Sequence, residues 1–157
     1  MKRFTFAVLI LTIFAPAAIF AVAPANDHLA NAEILSGASG AVQRSNAEAT
    51  RQTGEPSHDT SATVVYRTVW FEWTAAENKP VAFEIAAADF DAAIAVHVGG
   101  NGFSFSESPS RNNDTFGTRP RVEFQGTAGK TYKIAVGLFN DAALPGGNFT
   151  LQWATAG

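Results

Sequence analysis

Residues 69–74 read Val69-Trp70-Phe71-Glu72-Trp73-Thr74, an unbroken alternation in which Val69, Phe71 and Trp73 share one face of an extended chain while Trp70, Glu72 and Thr74 share the other. A period of two marks a half-buried strand, because successive side chains of a strand point to opposite faces. The same period recurs downstream. Val81, Phe83 and Ile85 alternate with Ala82 and Glu84, Ile94, Val96 and Val98 with Ala95 and His97, and Val122 and Phe124 flank Glu123. Tyr132, Ile134 and Val136 alternate with Lys133 and Ala135, and Phe149, Leu151 and Trp153 with Thr150 and Gln152. Weaker strands are expected at 32–35, 41–45 and 103–107. No segment after Ala25 keeps helical spacing for more than about two turns. Short antiparallel strands with one apolar face each bury those faces by stacking two sheets. The expected fold is therefore all-β, a jelly-roll-like antiparallel β-sandwich of about 8–9 strands. Trp73, Phe83, Ile94, Phe124, Ile134 and Phe149 should share its core.

The first residues follow a different order. Lys2 and Arg3 precede an apolar run from Phe4 to Phe14, and Pro16 and small alanines lead to Ala21-Val22-Ala23-Pro24-Ala25. That order predicts a secretory signal peptide over 1–25. Cleavage after Ala23 would set Pro24 beside the cut, where its fixed φ hinders a protease, so cleavage after Ala25 is preferred. The alternative is an uncleaved anchor, since Phe4 to Ala23 is just long enough to span a bilayer. Losing Lys2 and Arg3 leaves 9 basic against 14 acidic residues, a formal charge of −5. The expected location is secreted or periplasmic, with no membrane contact after cleavage.

The 157 residues contain 46% hydrophobic, 16% charged and 11% aromatic residues, and no cysteine. Normal apolar content excludes a disordered chain. The missing thiols exclude a cysteine nucleophile, a zinc ribbon and an iron–sulfur cluster. An acidic mature chain is a poor nucleic-acid partner. One domain is expected over 26–157, with surface loops at 50–67, 108–120 and 140–147, where binding residues usually sit.

Several stretches together resemble bacterial pre-peptidase C-terminal-like domains. They are 24–32 with Asn26-Asp27-His28, 46–50, Gly54-Glu55-Pro56-Ser57-His58, and Val69 to Ala75. The second half adds Phe90-Asp91, Asn113-Asp114, 121–124, 128–137 and 147–151, so the resemblance spans nearly the whole mature chain. It implies a secreted jelly-roll-like sandwich that accompanies exported hydrolases or surface proteins without being catalytic. This chain departs from the family at Phe90-Asp91-Ala92 and Asn113-Asp114-Thr115, losing a hydroxyl and a carboxylate.

Catalytic constellations are sparse. Ser36-Gly37-Ala38-Ser39-Gly40 lacks the nucleophile-elbow spacing and a following helix. His28, His58 and His97 are isolated in sequence, and no pair has zinc-ligand spacing. His58, beside Glu55 and Asp59, is expected to be a solvated loop residue rather than a base. Glu72 and Glu84 could form a glycosidase pair if their strands were neighbours, but both alternate out of an apolar phase and are expected to face solvent. Trp70, opposite in phase to Trp73, is a candidate sugar platform or a packing residue, and Phe139 a candidate binding residue or a plug. Asp91, Asn113 and Asp114 should meet at one end of the sandwich, joined by Asp27 and Asp141. Oxygen donors of this kind suit calcium, or else they cap turns. No other cofactor is implied.

The sequence thus points to a secreted, non-enzymatic binding or accessory module for an extracellular protein or polysaccharide. A small extracellular hydrolase and a structural envelope protein are the alternatives.

Overall fold

A computed structural model describes residues 22–59, 63–114, 117 and 119–157. The predicted signal peptide thus lies mostly outside the described residues. Among the described residues nine strands form two sheets: β1 Glu33–Leu35, β2 Ser39–Ser45, β3 Val65–Thr74, β4 Pro80–Ala88, β5 Ala92–Val98, β6 Glu107–Asn112, β7 Arg121–Gln125, β8 Thr131–Phe139 and β9 Asn148–Thr155. The five-stranded sheet runs β1-β3-β8-β5-β6 and the four-stranded sheet β2-β9-β4-β7. The expected all-β sandwich is what the chain forms. A 3-10 turn at Leu29–Asn31 precedes β1.

The alternating phases do what the pattern demands. Val69, Phe71 and Trp73 of β3, Val81, Phe83 and Ile85 of β4, and Phe149, Leu151 and Trp153 of β9 enter one core between the sheets, and all six expected core residues belong to it. Its aromatic centre is Phe83, stacked on Phe124 (6.1 Å) and Trp153 (6.4 Å), with the Trp73 ring edge-on at 5.7 Å. Both indole N–H groups donate to the Gly37 carbonyl, Trp73 at 2.9 Å and Trp153 at 3.2 Å, so the two polar edges stay satisfied where the chain passes between sheets. Gly40 has no side chain because Trp153 fills the space: a Cβ there would lie 2.4 Å from the ring.

Three local expectations are corrected. β1 pairs in parallel with β3, Glu33 opposite Phe71 and Leu35 opposite Trp73, so the sandwich is not wholly antiparallel. The strand expected at 103–107 lies instead at Glu107–Asn112, inside the stretch read as a loop. Pro109 is tolerated because β6 is an edge strand and the β5–β6 register breaks between the Val96–Ser110 and Val98–Glu107 pairs, placing Ser108 and Pro109 together opposite His97. Phe103 and Phe105, freed from a ladder, fold over the outer face of the five-stranded sheet. There they join Trp70, Ala95 and Ala135 in a second apolar cluster. Covered on both faces, β5 is buried along its whole length.

Candidate functional site: a buried histidine chain and a pinned loop

The loop from Thr50 to Asp59 is drawn over the second cluster by side chains that look dispersed in sequence. Asp27 accepts from the Thr50 N–H through Oδ1 (2.6 Å) and from the Thr50 hydroxyl through Oδ2 (2.9 Å). Asn26 exchanges two hydrogen bonds with the backbone of Trp70, and the Leu29 N–H donates to Gln52 Oε1 (2.8 Å). The loop then turns inward and buries Glu55 and His58.

His58 is 1% exposed, so the expectation of a solvated loop histidine is overturned. Its Nε2 lies 2.9 Å from Glu55 Oε1, and its Nδ1 lies 2.9 Å from Nε2 of His97, itself 1% exposed. Nδ1 of His97 lies 2.7 Å from Ser108 Oγ, which the β6 bulge turns toward it. Glu55, His58, His97 and Ser108 thus form one continuous chain. Its polarity follows from one end. Glu55 as a carboxylate only accepts, taking the Gln52 N–H on Oε2 (2.8 Å), so His58 donates from Nε2. A neutral His58 then accepts at Nδ1 from His97 Nε2–H, and His97 accepts at Nδ1 from the Ser108 hydroxyl. Burial pushes the His97 pKa down to about 3, helped by His58 and by Arg111. Phe105 stacks on the His97 ring at 4.3 Å, and Trp70 meets His58 edge-on at 5.2 Å.

Trp70 is wholly buried under this cover, so it packs and offers no platform to a sugar. Phe139 is half-buried at the end of β8, its N–H donating to the Asp91 carbonyl (2.8 Å). Glu72 and Glu84 lie in different sheets, on β3 and β4, each outside the core phase of its strand. Glu72 pairs with Lys133 and Glu84 with Arg121 (3.2 Å), so two carboxylates on the outer sides of a sandwich cannot flank one glycosidic bond.

Of the expected calcium ligands, Asp27 and Asp141 are engaged in local hydrogen bonds, while Asp91 and Asp114 lie near enough to influence each other. Both Asp27 oxygens are occupied by Thr50, and Asp141 Oδ1 caps the Ala143 N–H (2.8 Å). Asp91 has its carboxyl raised by burial and by Asp114, and its Oδ1 is buried without a hydrogen-bond partner. Among the described residues no group of three or more His, Cys, Asp or Glu side chains could hold a metal ion.

A second built feature is the loop between β8 and β9. Its tip, Ala142-Ala143-Leu144-Pro145, is exposed and apolar, with Leu144 45% exposed. It is pinned from below. The Arg67 guanidinium donates to the Leu144 carbonyl, and Asn46 accepts the Gly147 N–H (2.9 Å) while donating to the Arg67 carbonyl (3.1 Å). Arg67 (φ 50) and Asn140 (φ 56) adopt left-handed backbone, a strained choice for side-chain-bearing residues that the surrounding bonds hold. Gly146, also left-handed, passes so close to Asn46 that a Cβ would lie 2.5 Å from Oδ1.

No protein-family profile and no curated protein matches this chain. Among solved structures it is similar to Aeromonas hydrophila PliG, a periplasmic lysozyme inhibitor of g-type lysozyme, with a TM-score of 0.52 and 17% identity over 80% of this chain and 96% of that one. That likeness is one of fold. No helix among the described residues is long and apolar enough to cross a membrane.

Proposed function

We propose that the protein is a secreted or periplasmic, non-catalytic module that binds another exported protein, and that a g-type lysozyme is the partner to test. The observation that carries this reading is the pinned apolar tip at 142–145. A loop whose backbone is already fixed loses little conformational freedom on docking, so its apolar side chains deliver their burial as affinity. The fold shared with PliG supports the same reading. Against an enzyme stands the sealing of the histidines: His58 and His97 lie beneath Phe105 and the Thr50–Asp59 loop rather than in a cleft. Membership of the pre-peptidase-like class is part of this proposal, supported by the structural work of Asn26 and Asp27 in the matching stretch. Calorimetric titration of a g-type lysozyme with the wild type and with Leu144→Asp tests the binding site. Binding by the wild type that falls at least tenfold in the variant, with unchanged melting, is expected. Equal binding by both would remove the tip from the interface.

A calcium site at Asp91, Asn113 and Asp114 stands as a second proposal, supported by the unpartnered Asp91 Oδ1 and the mutual repulsion of the two acids. A rise in melting temperature in millimolar calcium, reversed by chelator and absent in Asp114→Ala, is expected. No shift in the wild type would sink the site.

A further inference from the structure

We propose that the Glu55–His58–His97–Ser108 chain is a pH-operated clasp that holds the Thr50–Asp59 loop over the outer face of the five-stranded sheet and releases it in acid. In the neutral chain each histidine carries its proton on Nε2, and every contact has one donor and one acceptor. One extra proton can be absorbed. The His97 Nε2 proton passes to His58 Nδ1, His97 takes the new proton on Nδ1, and the Ser108 hydroxyl turns from donor to acceptor. The positive charge then rests on His58 beside Glu55, and every contact is again satisfied.

A second proton has no place. It would put hydrogens on both His58 Nδ1 and His97 Nε2, two donors facing each other at 2.9 Å inside an apolar cover. With the loop released, both imidazoles meet water, where an unperturbed imidazole takes up a proton at about 6.5. The open form therefore takes up one more proton than the closed form. Acid pulls the equilibrium toward it by up to about tenfold per pH unit below that value.

The surrounding charges do not rescue the closed form. On the loop, Arg51 donates to the Glu55 carbonyl and Asp59 is buried beside His58. From β6, Arg111 reaches the Asp59 carbonyl (3.3 Å) and adds positive charge near His97. From β8, Lys133 is in register with His97 and is paired with Glu72 of β3. Arg111 thus opposes protonation of His97, while Lys133 is neutralised by Glu72. The His58 backbone is also left-handed (φ 62), a conformation that costs a residue with a side chain.

Hydrogen exchange of the full chain, followed by mass spectrometry from pH 7.5 to 4.5 and corrected for the intrinsic pH dependence of exchange, tests the clasp. Amides at 51–59 should lose protection by up to about tenfold per unit below pH 6.5, while those of β3 and β8 keep theirs. In His97→Gln, which removes one titrating ring, the loop's pH dependence should flatten whatever its protection at pH 7.5. Unchanged protection of 51–59 down to pH 4.5 in the wild type would overturn the clasp. So would its loss only together with the β8 amides, or a full pH dependence retained in His97→Gln.

Discussion

At the residue scale, burial separates side chains that the sequence presents as equivalents. Phe83 and Glu84 are neighbours in β4, yet Phe83 lies between Trp73, Phe124 and Trp153 while Glu84 sits at the surface with Arg121. Phe83→Ala should therefore destabilise the protein by about 3–5 kcal/mol in denaturant unfolding, and Glu84→Ala by less than about 1 kcal/mol. Gly40→Ala should cost about 1–3 kcal/mol, because the new methyl group must displace the Trp153 ring. Equal effects at positions 83 and 84 would mean that the strand phases are misplaced. His97 adds a pH dependence of definite sign. Its folded pKa is depressed to about 3, so the folded state binds fewer protons than the unfolded state between that value and about 6.5. Stability contributed by its neutral form is complete above about pH 6.5 and drains away as the pH falls toward 3. A wild-type melting temperature that stays level from pH 7 to 4.5, or a His97→Gln variant as acid-sensitive as the wild type, would contradict this.

At the element scale, the strands were legible because each carries its own signal. Six alternating runs gave six strands in the right phase, since period-two burial is a local property written into neighbouring residues. What was not local was not legible. His58 is buried by partners 39 positions away at His97 and by Ser108 beyond it, and nothing in Glu55-Pro56-Ser57-His58-Asp59 distinguishes a clasp from a solvated turn. The one available hint was the polar phase of His97, a histidine set among alanines on an outward face that needed a partner. Pro109 misled in the other direction, because a proline forbids a central strand but not an edge strand at a register break. The β8–β9 connection reads as a loop in sequence, but its rigidity comes from Asn46 and Arg67, far away in sequence. Asn46→Ala removes the bonds to Gly147 and to the Arg67 carbonyl and should destabilise by about 1–3 kcal/mol. Faster exchange of the 141–147 amides should accompany that loss. A loop as protected as in the wild type would show that Asn46 does not set its conformation.

At the scale of the whole molecule, the two sheets enclose a single aromatic core, and their outer surfaces differ. The five-stranded sheet is roofed by the N-terminal segment, the Thr50–Asp59 loop, and Phe103 with Phe105. The four-stranded sheet carries Arg121 between Glu84 and Glu123 on its outer side. The apolar tip at Leu144 is exposed, on a loop that Asn46 and Arg67 hold. The proposed docking role of that tip is tested most directly with the full chain. The binding of a g-type lysozyme is measured by calorimetry across a titration with the wild-type chain. Saturable one-to-one binding with a Kd of about 1 μM or tighter is the outcome expected of the proposed partner. No binding heat at a large molar excess would contradict it.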